Sequence, residues 1–459
     1  MKQTPIVLDF GGSYIKAGFA GQPAPRRIVP SPLGELRQRQ PPLSEKEWVV
    51  EIGSLLSHLC FAELQTRPRE RDVIICESSE ENIGEDRVRH ALGRVLFDQL
   101  GVASLCLVPC GYLALRACNS RSGLVLDVGF RECRAVPVFE GVIIRPAVRV
   151  MQRGASSILG QLRSGMQLVT TAQGQAQQQC SDWIQRTEVI EDLLMRACFV
   201  RNAFDVEGEG EEALDVRFRI PVSGAPGNSS GDNDDILLLP GSVRGRVAEP
   251  LFHNNLDIES LVKDSAVQDD GYDENNDGGS ASIQHVLLDA LLACPIDVRP
   301  HVAHHVVLAG GAAMLPGFCA RVAAAAKRVV QHSVESNKCC YASKYASLQP
   351  LISSSFETRA VPFPRSTLAW VGGSLLAATV DPSCVAVSSA EYFRSGLRSL
   401  GYACENAQKD SEPTELGVDD NYSVCSVPLA GTAAAYQTLE QQKSPQLVWG
   451  LVERHPAWH

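Results

Sequence analysis

Two turns carry the residues of this 459-residue chain best suited to handling a phosphate. The first reads Ile6-Val7-Leu8-Asp9-Phe10-Gly11-Gly12-Ser13, with Lys16 close behind. The second lies 118 residues later and reads Leu124-Val125-Leu126-Asp127-Val128-Gly129-Phe130-Arg131. Each opens on an apolar run fit for a buried strand, then places an Asp, then a Gly at a sharp turn. The first turn continues with small residues and a lysine, which suits a phosphate. The second continues with an aromatic ring and a guanidinium, which would obstruct one.

The elements that must position these turns repeat. After each turn comes a second apolar stretch, Ile15 to Ala20 or Arg134 to Phe139, closed by Ala20-Gly21 or Glu140-Gly141. A third short apolar stretch follows, Ile28-Val29 or Val142 to Ile144. The same three-strand unit therefore occurs twice, which argues for internal duplication. Between the copies, Val73 to Cys76 and Leu105 to Val108 read as strands. Trp48 to Leu64, Glu85 to Leu100 and Tyr112 to Cys118 have helical spacing. Strands alternating with helices predict an α/β fold with mixed sheets.

Composition narrows the class. At 459 residues the chain should split into two or more domains. A net charge of -11 argues against nucleic acid or an anionic membrane as the main partner. Fifteen cysteines without CxxC pairs or nearby histidine ligands suit a reducing compartment and speak against structural zinc. No apolar stretch approaches the roughly 20 residues needed to span a bilayer. The chain enters a strand almost at once, so no secretory signal is expected. These features predict a soluble, cytosolic protein.

The middle of the chain is irregular. Residues 205–235 and 264–282 are rich in Gly, Asn, Ser and acids and read as surface insertions. Asp273 to Gly278 opens like a calcium loop, but Gln284 stands at the closing position and Ser280 at the eighth. A solvated acidic loop is the better reading. Order returns at Val306 to Gly311, with Gly310-Gly311, and at Trp370-Val371-Gly372-Gly373-Ser374. The 401–459 tail is polar up to the apolar run Leu447 to Val452, which could dock on a partner.

Taken in order, these motifs resemble those of actin and the actin-related proteins. Lys16 to Gly21, Ala24-Pro25-Arg26 and Pro30-Ser31 look like the family's N-terminal signature. Ala309-Gly310-Gly311 with Met314 and Pro316-Gly317 looks like its adenosine-contacting turn. Trp370 to Ser374, Glu391-Tyr392 and Ser395-Gly396 look like its C-terminal signature. The similarity runs from about residue 4 to 400. It implies a two-domain actin-like fold around a nucleotide cleft. The small domain would hold residues 1–117 and 366–400, and the large domain 118–365.

The resemblance also implies a site for ATP or ADP with magnesium. Asp9, Gly11, Gly12, Ser13 and Lys16 would form the first phosphate loop. Asp127 and Gly129 would belong to the second, Gly310 and Gly311 to the adenosine turn. Asp9 and Asp127 would hold the metal through water. Several family positions are changed. Phe130 and Arg131 replace an Asp-Gly pair, and Arg134 replaces a histidine that orders the attacking water. Cys110 replaces the glutamine that orients this water, and a thiol is a poor hydrogen-bond donor. Leu194, Met195, Leu315 and Ser366 stand where ribose and adenine contacts are expected. Hydrolysis is not expected, because water positioning is most of what such a site contributes.

The family's filaments form when a long arm of one subunit enters the next. Here only residues 32–47 separate Ser31 from Trp48, too few for that arm. A subunit so shortened could end a filament but not extend it, the geometry of a cap. The run Val125 to Glu132 most resembles the pointed-end actin-related members of dynactin. The expected role is a non-catalytic subunit at the pointed end of dynactin's actin-like filament, supporting dynein transport. Its partners would be actin or actin-related subunits and pointed-end complex proteins, in a cytoplasmic, cytoskeletal hetero-oligomer. Two other roles are consistent with the motifs: a nuclear scaffold in chromatin remodelling, and an active ATPase of the wider superfamily.

Overall fold

Strand-forming runs and amphipathic helices assemble, in a computed structural model, into two compact units. The structure describes residues 3–77, 85–169, 186–201, 214–220, 235–253, 282–335, 344–355, 358–380 and 386–395. The 264–281 part of the second insertion, with Asp273 to Gly278, lies outside these residues, as does the 401–459 tail. The first unit comprises the described residues of Met1–Val125, Pro137–Arg145 and Ala360–His459; the second comprises those of Leu126–Val136 and Pro146–Arg359. The first division falls inside a continuous strand, where the sequence carries no punctuation. It lies several residues from the 117/118 limit expected above.

In the first unit, β1 (Ile6–Phe10), β2 (Tyr14–Phe19) and β3 (Arg27–Pro30) form an antiparallel meander. β4 (Asp72–Glu77) runs parallel to β1, and β5 (Ser104–Pro109) parallel to β4. The Val387–Ser388 strand adds antiparallel to β5. The central strands are apolar on both faces because both are covered. On one face Leu8, Ile15 and Ile75 pack with Ile52, Leu56 and Leu96 from the covering helices. On the other, Trp370 is fully buried and donates Nε1–H to the Val7 carbonyl at 3.0 Å.

That second face is covered by the Cys110–Ala117 and Leu368–Thr379 helices. Gly372-Gly373 lies inside the second of these helices and not at a turn before it. A Cβ on Gly372 would overlap the Leu113 carbonyl, so glycine is there to let two helices touch.

Segment 32–47 is also better ordered than its polar composition suggested. Leu33–Leu36 is one helical turn, and Leu33, Leu36 and Leu43 are buried in the same core as Trp48. The following helix starts at Glu45, three residues before Trp48. Ser44 and Glu47 explain the early start: each side chain accepts from the other's backbone N–H, a reciprocal cap.

The second copy of the three-strand unit consists of β6 (Gly123–Val128), β7 (Cys133–Phe139) and β8 (Val142–Ile143). Its sheet runs β13, β6, β7, β8, with β9 (Arg149–Met151) along β7 and β13 spanning Val306–Ala309. A separate antiparallel sheet contains β10 (Gln167–Val169), β11 (Val216–Ile220) and β12 (Asp235–Leu239) in the order β10, β12, β11. Residues 216–220 are thus a paired strand within the stretch read from sequence as the insertion 205–235. Val216, Phe218 and Ile220 alternate with Arg217 and Arg219, a period-2 signal masked by acidic and Gly-rich surroundings. The rest of 205–235 outside 214–220 and Asp235 is not described.

Candidate nucleotide-phosphate site

The first turn is built by β1–β2 pairing. Its register puts Asp9 directly opposite Lys16. Neighbouring side chains across an antiparallel pair can meet, and Lys16 Nζ donates to Asp9 Oδ2 at 2.7 Å. Asp9 is buried, so the pair is shielded from solvent. Gly11 opens the Gly11–Ser13 turn, and a Cβ there would sit 2.6 Å from the Tyr14 carbonyl oxygen. Ser31 N–H donates to the Ser13 carbonyl at 2.8 Å, tying the turn to the end of β3. Cys76 on β4 lies close by. Burial, and secondly the Asp9 charge, push its thiol well above the usual range, so it is a neutral spectator.

This half places Asp9, Gly11, Gly12, Ser13 and Lys16 on one strand–turn–strand. A cation beside a tight glycine turn is what a phosphate needs: charge, and backbone N–H groups at close range. The cradle at Gly11 would be filled by any side chain. These residues fit a phosphate.

The second turn has the same strand–turn–strand frame and different contents. Asp127 is half-buried on β6. The Gly129 N–H donates to the Glu132 carbonyl at 2.9 Å, closing the turn on itself. The Ala155 and Ser156 N–H groups, at the start of the Ala155–Gly165 helix, donate to the Gly129 and Phe130 carbonyls at 2.9 and 2.8 Å. Gly154 makes that contact possible, since a Cβ there would lie 2.5 Å from the Gly129 oxygen. The amides of a helix start, ordinarily available to anions, are thus used on protein carbonyls.

Arg134, the residue in the water-ordering position, is buried and donates Nε–H to Glu132 Oε1 at 2.7 Å. The Glu132–Arg134 pair was not anticipated. The strand period gives no signal for it, because Glu132 belongs to the turn and β7 begins only at Cys133. Burial, then the Asp127 and Glu132 charges, drive the neighbouring Cys133 thiol upward.

Gly310 follows β13 with φ +95°, and a Cβ on it would overlap the Val128 carbonyl. It therefore lets β13 end against the second turn. Gly311 is exposed, and a Cβ there would meet nothing within 4 Å. Cys110 begins its helix directly after β5 and is buried. Leu194 and Leu315 are buried as core residues and Met195 is exposed, so these positions bring no polar group to a ribose or base. The second half keeps Asp127 and Gly129 but fits a phosphate less well than the first. Among the described residues no group of three or more His, Cys, Asp or Glu side chains could hold a metal ion.

A duplicated strand–turn–strand in two mixed-sheet units, with an Asp at each turn, defines a class. Residues 42–405 match the family model described as Actin, and the chain belongs to the actin family. The matched span includes Asp127, Gly129, Gly310 and Gly311; it begins beyond Asp9 to Lys16, although the resemblance above was drawn from about residue 4. Among curated proteins the chain is similar to actin-related protein 10 of Dictyostelium discoideum. The two are 25% identical over 430 residues, covering 83% of this chain and 83% of that one.

Proposed function

We propose that this chain is a non-catalytic actin-related subunit capping the pointed end of dynactin's actin-like filament, supporting dynein-based transport on microtubules. One observation carries the reading. Where the family's arm would project, Leu33, Leu36 and Leu43 are folded into the core of the first unit. At roughly 25 cal/mol per Å² of buried apolar surface, three buried leucines favour the folded segment by several kcal/mol. A subunit without a projecting arm offers nothing for the next subunit to receive, so growth stops on that side.

The changed second turn supports the non-catalytic half of the reading. Cys110 cannot replace an amide that orients water, and Arg134 is committed to Glu132. Where ATP or ADP with magnesium binds, Asp9, Gly11, Gly12, Ser13 and Lys16 would hold the phosphates. Asp127, Gly129, Gly310 and Gly311 would contribute more weakly, and the nucleotide would stay unhydrolysed. The setting is a cytoplasmic, cytoskeletal hetero-oligomer of actin or actin-related subunits with pointed-end proteins.

The test is affinity purification of the tagged full chain, identification of co-eluting proteins, and electron microscopy of the labelled particle. The expected result is one copy at one end of a short actin-like filament. A monomer that never associates, or identical copies stacked into a filament, would overturn it. So would co-elution with chromatin-remodelling subunits and a nuclear fusion protein. Steady phosphate release abolished by Asp9→Ala would sink the non-catalytic half alone.

A further inference from the structure

At the end of β1 remote from Asp9, the first unit presents a set of guanidinium groups. Register fixes this placement: Ile6 pairs with Phe19 while Asp9 pairs with Lys16. Three residues of strand, about 10 Å, separate the two ends. The Arg26 guanidinium lies 4.9 Å from the centre of the Phe19 ring, and Arg71 lies 5.6 Å from the same centre. Arg67 and Arg69 are exposed on the loop leading to Arg71. None of these four arginines makes an ion pair among the described residues.

The loop is rigid. Thr66 N–H donates to the Cys60 carbonyl at 2.8 Å, Glu70 N–H to Gly101 at 2.9 Å, and Arg71 N–H to Pro68 at 3.0 Å. Arg71 also donates from Nη1 to the Thr4 carbonyl at 2.6 Å and from Nε to Arg67 at 3.1 Å. Gln65 and Glu70 hold φ of +50° and +61° without being glycine. Such residues persist only where surroundings enforce them, and they gather at binding sites. Arg71 is therefore held by its two hydrogen bonds and Arg26 rests on Phe19, while the loop backbone fixes where Arg67 and Arg69 start, which lowers the entropy lost on binding.

We propose that Arg26, Arg67, Arg69 and Arg71, around Phe19, form a docking site for a short acidic peptide segment of a partner protein. Charge complementarity selects this occupant: guanidinium forks match carboxylates, and the loop's own Glu70 makes no ion pair with these arginines among the described residues. The rest of the molecule selects its length. A chain of net charge -11 repels extended polyanions such as nucleic acid or an anionic bilayer. A short segment seated on the patch contacts these guanidinium groups directly, while charges farther off than one Debye length, about 8 Å at physiological salt, are largely screened. The site is independent of the nucleotide turn and of the pointed-end reading.

The probe is a fluorescein-labelled hexaglutamate peptide, titrated with the intact full-length chain and read by anisotropy. Binding should weaken at least about tenfold in the R67E/R69E variant, by loss of two charge-assisted contacts, and should weaken as salt rises. Lys327→Glu, a charge reversal on an exposed position of the Phe318–Glu335 helix, should leave it unchanged. Circular dichroism should show R67E/R69E folded, since neither side chain is used internally; Arg26→Ala offers a milder check. No binding by the wild type, equal binding by wild type and R67E/R69E, or equal loss with Lys327→Glu would overturn the site. Tighter binding to phosphatidylserine vesicles or to single-stranded DNA than to the peptide would overturn the assigned partner.

Discussion

The two Asp-x-Gly turns share a frame and differ in where their polar groups point. At the first, the Lys16–Asp9 pair sits beside a turn that a single Cβ would fill. At the second, the turn amide, the helix-start amides and the Arg134 guanidinium are all satisfied by protein oxygens. A duplicated scaffold thus keeps its strands while one copy spends its donors on internal structure. Conserved topology does not carry conserved chemistry.

The sharpest way to break this comparison is Gly310→Ala, which adds a left-handed alanine and overlaps the Val128 carbonyl. It should cost about 3 kcal/mol or more by urea denaturation, while Gly311→Ala stays within about 0.5 kcal/mol. Equal effects would mean that the second turn does not depend on close contact with β13.

Next is Glu132→Gln, which removes the carboxylate charge that accepts from the buried Arg134. A loss of about 3 kcal/mol is expected, against less than about 1 kcal/mol for Arg134→Met, which removes the charge along with its partner's role. If the methionine variant loses more than the glutamine one, the guanidinium is stabilising by itself and the second turn has been misread.

A third, smaller effect separates the turns by ligand. Lys16→Ala should weaken ATP binding about tenfold by calorimetry, the worth of one charge-assisted hydrogen bond. Arg131→Gly should leave it equal or slightly tighter. Loss on Arg131→Gly would place the phosphate at the wrong turn.

The smallest effect is in pH. Burial, reinforced by Arg359 and His304, lowers His305 from 6.5 to about 4, just before β13. Burial also lowers His285. A histidine with a depressed folded pKa prefers the neutral form, so its stabilisation is complete above about 6.5 and fades as pH falls toward 4. Amide protection at β13, corrected for intrinsic exchange, should therefore fall between pH 7 and 5 while protection at β1 holds. His305→Phe should flatten that response; an unchanged slope would remove His305 as its source.

How much was legible varied with the range of the signal. β1, β4, β5, β6 and β13 were readable as short apolar runs, those of β1, β6 and β13 ended by Asp or Gly and those of β4 and β5 by Glu77 and Pro109. The Ser44–Glu47 cap is in the sequence as Ser-x-x-Glu, whereas hydrophobic spacing alone begins the helix at Trp48. β11 was lost in its acidic surroundings. Asp9 beside Lys16 followed from two strands and a three-residue turn. Nothing local announced that Gly154 would press against Gly129, or Gly310 against Val128.

By itself the sequence determined most of the strands and helices, β11 excepted, that the unit is duplicated, and which side chains stand at each turn. Those properties follow from period, turn chemistry and residue type, all fixed within a few neighbours. Tertiary structure alone decided which oxygens the second turn's neighbours meet, because a hydrogen bond or a close glycine contact can join chain segments tens to hundreds of residues apart. The tight glycine contact of one turn, and the closure of the other, belong to that second kind of information.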